Sequence, residues 1–175
     1  CNEARLERRE PGAVALYGEP TEGALRVLAE KLFAAEQRRP TDGQLAACEG
    51  QGEGEGESAG DWLEGGRAFF QRPWQALFVL EFSRARKAMS VLCRRSAAAG
   101  RWAAQFRADE AVLLVKGGAE VLLDRCAHAQ LEDGRVVPLS AALRRQLRER
   151  VAALQQRPLR TLALAYKSLG ARHPL

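Results

Sequence analysis

The chain has 175 residues, with 27 Lys and Arg against 22 Asp and Glu for a formal net charge of +5. That length supports one domain with a substantial core better than two, and the longest apolar runs, such as Ala76–Leu80 and Ala111–Val115, fall far short of the roughly 18 residues a membrane-spanning helix needs. The basic excess favours a polyanionic partner, whether nucleotide, nucleic acid or acidic lipid, without choosing between them.

In chain order, Ala13–Tyr17 reads as a short strand and Thr21–Glu36 as a helix with Leu25, Leu28, Leu32 and Phe33 on one face. Thr21 suits the N-cap, Glu22 complements the positive helix end, and Pro20 holds Glu19 extended. From Glu49 to Gly60 the sequence EGQGEGEGESAG has almost nothing to bury, which predicts a flexible surface loop. Trp62, Leu63, Phe69 and Phe70 suggest a helix interrupted at Gly65-Gly66 and ended before Pro73, its aromatics packing as core.

The central feature is a predicted hairpin. A strand from Ala76 to Phe82 enters the polar connection Ser83-Arg84-Ala85-Arg86 and leaves through a strand from Lys87 to Cys93. If Phe82 and Lys87 close the turn, alternation places Phe78, Leu80 and Phe82 beside Lys87, Met89 and Val91. A ring, a thioether and an ammonium on one face suit a nucleotide. The same spacing also describes an ordinary half-buried hairpin.

Arg94–Asp109 is basic and alanine-rich, with Trp102 and Phe106, and reads as irregular. Ala111–Lys116 forms a strand with Val112, Leu114 and Lys116 on one face, Gly117-Gly118 allows a sharp turn and close approach of a ligand, and Ala119–Cys126 continues as a helix. This KGG matches neither the GxxxxGK phosphate loop nor a dinucleotide fingerprint. Asp133-Gly134 marks a tight turn between Gln130–Glu132 and Arg135–Val137. Ser140 caps a helix to about Gln156, with Leu143, Leu147, Val151 and Leu154 as its apolar stripe. Arg144, Arg145, Arg148 and Arg150 occupy its remaining surface, a solvated face or a contact for RNA or acidic lipid. Leu159–Tyr166 reads as a central, two-sided strand with Arg160 at its entrance.

The cysteines Cys1, Cys48, Cys93 and Cys126 form no CxxC pair and His128 and His173 are far apart, so no structural zinc is expected. Reduced thiols of a cytosolic domain fit better. There is no signal-peptide pattern, and a start at Cys1 is expected of an excised or processed fragment.

Four stretches together carry a resemblance: Gly18–Leu25 (GEPTEGAL), Glu81–Cys93 (EFSRARKAMSVLC), Val115–Cys126 (VKGGAEVLLDRC) and Leu159–Ala165 (LRTLALA). In this order they resemble the nucleotide-binding domain of P-type calcium pumps of the sarco/endoplasmic reticulum type. The second is similar to that family's FSRDRKSMSV. The resemblance implies an α+β fold, an antiparallel sheet flanked by helices, in a single nucleotide-binding domain over residues 1–175. It implies that ATP binds with Phe82 stacked on adenine, Met89 and Leu162 lining the pocket, and Glu19, Thr21 and Glu22 at its polar edge. Arg84, Lys87, Lys116 and Arg160 would bracket ribose and phosphates, with Gly117, Gly118 and Thr161 beside them.

No residue is expected to be catalytic or to bind metal, because the chain carries neither the DKTGT phosphorylation motif nor the family's GDGxND magnesium site. Mg2+ would act with ATP in the full pump. The implied partners are the phosphorylation and actuator domains of the same polypeptide, at the cytosolic face of a membrane such as the endoplasmic reticulum. Neither nucleic acid nor membrane insertion is expected, and the isolated domain is expected to be a monomer. The family usually has KGAPE where this chain has Lys116-Gly-Gly-Ala-Glu120, which leaves the backbone approach at Gly118 open. Departures at Ala85, Ala88, Gly118 and Ala119 would favour a regulatory domain that has lost nucleotide binding.

Overall fold

The structure, a computed structural model, describes residues 4–10, 13–37, 66, 69–96, 105–108, 110–157 and 159–170. In chain order its elements are β1 (Arg5–Glu10), β2 (Ala13–Tyr17), α1 (Pro20–Gln37), β3 (Trp74–Ser83), β4 (Ala88–Arg95), β5 (Ala111–Gly118), α2 (Ala119–Arg125), β6 (His128–Gln130), β7 (Val136–Pro138), α3 (Ala141–Gln155) and β8 (Leu162–Ser168). They form an α+β fold of antiparallel sheets with helices, and the chain divides into two compact units, Cys1–Pro73 and Trp74–Leu175. The Gly/Glu stretch at 49–60 lies outside the described residues.

In the first unit β1 and β2 form an antiparallel hairpin, a pairing that the charged sequence RLERRE does not announce. At its exit Gly18 has φ +111, and a Cβ there would lie 3.1 Å from the Ala4 Cα. Helix α1 begins one residue earlier than the sequence predicts. Pro20 suits a first helical turn because its missing N–H would have no intrahelical partner, and the first helical bond runs from the Gly23 N–H to the Glu19 carbonyl at 2.9 Å. Thr21 therefore lies inside the first turn and is not the N-cap.

The buried stripe of α1 also differs from expectation. Leu28 and Leu32 are exposed, whereas Arg26 and Glu30 are buried as an i,i+4 ion pair at 3.1 Å. The second Glu30 oxygen accepts the Gly66 N–H at 2.9 Å. Buried charges of this kind need such partners. Phe33 and Phe69 have ring centroids 5.3 Å apart, with Phe70 edge-on to Phe69. Those aromatics pack as expected.

The second unit is built on a four-stranded antiparallel sheet in the order β3-β4-β5-β8. Helix α2 packs on β5, β8 and α3, and the β6–β7 hairpin joins the two helices in sequence. Strand β8 is an edge strand, not the central strand its apolar composition suggests, and its burial alternates as expected of one covered face. Strand β5 continues through Gly117 and Gly118 before α2 begins, so the two glycines pair with neighbours instead of turning. The Asp133-Gly134 turn is present, with Gly134 at φ +86 within a connection from 131 to 135. Exposed Asp133 has its carboxyl held below the usual carboxylate range by bonds from the Arg135 backbone and then its side chain.

Ser140 caps α3 as its sequence predicts, its hydroxyl accepting the Leu143 N–H at 3.2 Å. The apolar stripe is shallower than expected: Leu143, Leu147 and Val151 are half-buried and Leu154 is exposed. The arginine row on this helix is not uniformly solvated. Arg144 is half-buried, and its guanidinium donates to the carbonyls of Leu123 and Cys126, satisfying acceptors at the end of α2. Arg148 pairs with Asp124, and Arg145 lies 4.0 Å from Glu149.

The core of the second unit runs along β4 and β5, with Ala88, Met89 and Ser90 buried near the β3–β4 turn and Cys93, Ala111 and Val112 buried at the other end. Val112 and Cys93 are opposite each other and buried, and Phe106 has Trp74 at 5.3 Å and Tyr166 at 5.2 Å, both edge-on. Glu110 closes this end by accepting the Arg107 N–H at 2.7 Å and the Ser168 hydroxyl. Burial pushes the Cys93 thiol pKa up.

Candidate functional site

The site begins with the turn between β3 and β4. Ser83 organises it: its carbonyl accepts the Lys87 N–H at 2.7 Å and its hydroxyl accepts the Arg86 N–H at 3.2 Å. The Arg86 guanidinium donates to the Glu81 carbonyl. The pair closing the turn is Ser83 with Ala88, not Phe82 with Lys87. Leu80 pairs with Ser90, so three steps along β3 answer two along β4, and Glu81 and Phe82 together stand opposite Met89. This is a bulge. It leaves Lys87 within the turn, at φ +49.

The bulge also changes the predicted face. Val79 pairs with Val91, and Phe78 pairs with Leu92. Directly opposed residues of an antiparallel ladder share a face, so Phe78 and Leu80 lie on the other face from Met89 and Val91. Simple alternation cannot place Phe82 because one extra residue resets it.

Beyond Met89 the register is regular. Met89 pairs with Lys116 and Lys116 pairs with Leu164, which aligns a thioether, an amine and an isobutyl group across three strands on one face. Gly118 pairs with Leu162, one step along the same face. Met89 is 5 % exposed, Lys116 half-buried, Leu162 40 % and Leu164 66 % exposed, and Phe82 at the bulge 61 % exposed. The row thus passes from a buried floor to open apolar walls, with an amine between them. Leu164 was not among the residues expected from the sequence. Its signal is there in the alternation Leu162-Ala163-Leu164, but only the pairing with Lys116 gives it meaning.

The two glycines have different roles. Gly117 pairs with Ala88, and a Cβ at Gly117 would lie 2.6 Å from the Lys87 carbonyl oxygen and 2.9 Å from the Ala88 Cβ. The Gly118 N–H donates to that same Lys87 carbonyl at 3.0 Å, yet a Cβ at Gly118 would meet nothing nearer than 4.0 Å. The family's usual alanine would therefore find room at Gly118.

Arg160 and Thr161 precede β8, on the approach to the Leu162–Gly118 pair. Arg160 is exposed, and the Thr161 hydroxyl accepts from the Gln155 amide at 3.2 Å. Arg84 is exposed in the turn. The structure therefore brings Met89, Lys116, Leu162 and Leu164 onto one row or its next step, with Phe82 in the bulge opposite Met89, fastens Lys87 to Gly118, and sets Arg84 and Arg160 on the segments that lead into it. Glu19, Thr21 and Glu22 belong to the other unit, at the start of α1, where Glu22 is the acidic residue of the first turn.

Among the described residues no three His, Cys, Asp or Glu side chains group as metal ligands. The row offers an amine, a thioether and alkyl groups, a donor set that does not fit a magnesium site. A depression bordered by Gln146, Glu149, Arg150 and Ala153 lies on α3 and includes none of these residues. Among the described residues no helix is long and apolar enough to cross a membrane.

An α+β unit with an apolar and cationic row at one sheet end is the class of module these elements define. Residues 1–174 match the family model of the P-type ATPase cytoplasmic domain N, and the chain belongs to that family. The endoplasmic reticulum calcium ATPase srcA of Aspergillus fumigatus is 34 % identical over 177 residues, covering 100 % of this chain and 16 % of that protein. Two endoplasmic reticulum-type calcium-transporting ATPases of Arabidopsis thaliana, numbers 2 and 3, are each 32 % identical, covering 86 % and 97 % of this chain and 13 % and 15 % of their own lengths. The chain thus spans about one-seventh of these curated relatives.

Proposed function

We propose that this chain binds ATP on the open end of the β3-β4-β5-β8 sheet and presents its γ-phosphate to the phosphorylation domain of a calcium pump of the endoplasmic reticulum type. The observation that carries this reading is the row from the Phe82 bulge through Met89 and Lys116 to Leu164. An exposed phenyl ring offers adenine a stacking surface, and the Met89 thioether and the Leu162 and Leu164 side chains supply polarizable and apolar contact. Lys116 lies between those contacts, and Lys87, Arg84 and Arg160 offer the phosphates further cations. Charge-assisted bonds to phosphate are stronger than neutral ones. Because the walls are exposed, solvent screening keeps the affinity modest.

The chain's contribution to turnover is positioning. Phosphoryl transfer depends on holding the reacting groups in line beside a metal, and the aspartate that receives the phosphoryl group belongs to the family's DKTGT motif, which this sequence does not contain. Mg2+ bound with the nucleotide would supply charge neutralisation at the phosphates, and the amine, thioether and alkyl groups of the row are not of the kind that would hold it. Calcium transport and the endoplasmic reticulum come into this reading from the names of the relatives, and the cytosolic side from the family, a cytoplasmic domain; the phosphorylation and actuator domains of the same polypeptide are the partners that the family resemblance implies.

Replacing Lys116 or Phe82 by Ala tests the assignment. Each variant is expected to bind ATP about five- to tenfold more weakly, the scale of one charge-assisted bond or one stacked ring, with an unchanged melting temperature. Titration by calorimetry reads this directly. Unchanged ATP affinity in both variants would sink the assignment.

A further inference from the structure

Lys87 is the one non-glycine residue with positive φ among the described residues, at +49. For a lysine this left-handed conformation costs energy and persists where neighbours fix it. Both of its peptide groups are fixed here. Its N–H donates to the Ser83 carbonyl at 2.7 Å, and its carbonyl accepts the Gly118 N–H at 3.0 Å. The second bond depends on the space at Gly117, where a Cβ would come within 2.6 Å of the Lys87 oxygen and 3.0 Å of the Ala88 Cα. Neither obstacle is a flexible side-chain end, so an added methyl would have to displace the turn.

We infer that Gly117 is a positioning residue: by leaving room for the Lys87 carbonyl on the Gly118 N–H, it presets the direction of the Lys87 ammonium and so sets preference for the phosphates over the nucleoside. The inference rests on the proposal that nucleotide binds this row. A side chain carried on a fixed backbone loses less freedom when it pairs with an anion. The link also joins two cationic segments, since Gly117 directly follows Lys116 and Gly118 holds Lys87. Disturbing it moves Lys87 relative to Lys116 without removing any side chain that touches the base. That separates Gly117 from Phe82 and Met89, whose loss affects nucleoside and nucleotide together.

The test compares ATP with adenosine on the whole chain, with hydrogen exchange of the Gly118 amide as a structural readout. In Gly117→Ala, ATP affinity is expected to fall about fivefold to tenfold while adenosine affinity changes by less than about twofold, and Gly118 exchange accelerates. Equal losses for the two ligands, no loss for either, or an unchanged Gly118 exchange rate would overturn the inference. Because Gly117→Ala could unfold the chain, the unsubstituted chain supplies a second measurement: ATP should slow Gly118 exchange further and adenosine should not, by linkage between anion binding and the Lys87–Gly118 bond. Equal slowing by both ligands, or slowing by neither, counts against it. Failure of the nucleotide reading itself looks different: the unsubstituted chain then binds neither ligand at the row, whereas Gly118 exchange in Gly117→Ala still reports on the bond.

Discussion

The two ends of the β3-β4-β5-β8 sheet are made of the same strands and are built differently. At one end Val112 is fully buried against Cys93, Phe106 contacts Trp74 and Tyr166 edge-on, and Glu110 accepts from both Arg107 and Ser168. At the other, Phe82 and Leu164 are more than half exposed, Lys87 is held in a left-handed conformation, and Gly117 leaves the space that a Cβ would take from the Lys87 carbonyl. Buried side chains lie at both ends, Ala88 and Met89 among them near the β3–β4 turn, and the open end adds an exposed ring, a left-handed lysine and grouped positive charge, features that are unfavourable in themselves.

The sharpest way to break this comparison is at the closed end. Phe106→Ala removes a ring between two others and should cost about 3–5 kcal/mol of stability, read as a large drop in melting temperature, whereas Phe82→Ala should cost almost nothing in stability and show itself in ATP affinity. Similar melting temperatures for the two variants would contradict the division of labour. A smaller effect is expected at Arg144. Its guanidinium serves two carbonyls at the end of α2, so Arg144→Ala should destabilise by about 1–2 kcal/mol, and denaturant unfolding would show a lower midpoint with ATP affinity retained once folded. If Arg144→Ala leaves stability unchanged, the helix-end contact is incidental.

The smallest effect concerns pH. Burial raises the Cys93 thiol pKa, so its proton is retained in the folded chain after the unfolded thiol, with an ordinary pKa near about 8.5, has begun to lose its own. The stabilisation is present below the unfolded value and is lost as pH rises towards and through the folded one. Thermal unfolding followed from pH 7 upward should therefore show a decline that is shallower in Cys93→Ala. Equal slopes would remove Cys93 from the account.

Much of this was legible in the sequence, for reasons that can be named. The hairpin around FSRARK, the Ser140 cap and the strand before Gly117 follow from local chemistry, turn residues between β-formers and a hydroxyl at a helix start, and the structure has all three. What escaped depends on partners distant in sequence. The bulge at Glu81-Phe82 exists only in the pairing of β3 with β4, and it exchanged the faces of Phe78 and Leu80. The edge position of β8 depends on sheet order, which its apolar composition does not encode. The burial of Arg26 and Glu30 in place of Leu28 and Leu32 needs Gly66, more than thirty positions away.

The candidate site divides along the same line. Lys116, Phe82 and Arg160 were named from motifs because such residues stand at recognisable places in a pattern. Leu164 and the separate roles of Gly117 and Gly118 emerge from register and from the space available to a methyl group, neither of which a one-dimensional pattern contains.

The most direct test of the central claim is a titration of the chain with ATP, followed through amide chemical shifts, with GTP and a high-salt repeat beside it. The account predicts saturable shifts clustered at Phe82, Met89, Lys116–Gly118 and Arg160–Leu164, larger for ATP than for GTP and persisting in part at high salt because stacking is not screened. Shifts confined to the Arg144–Arg150 surface and abolished by salt, or no saturable shift at the sheet end, would contradict it.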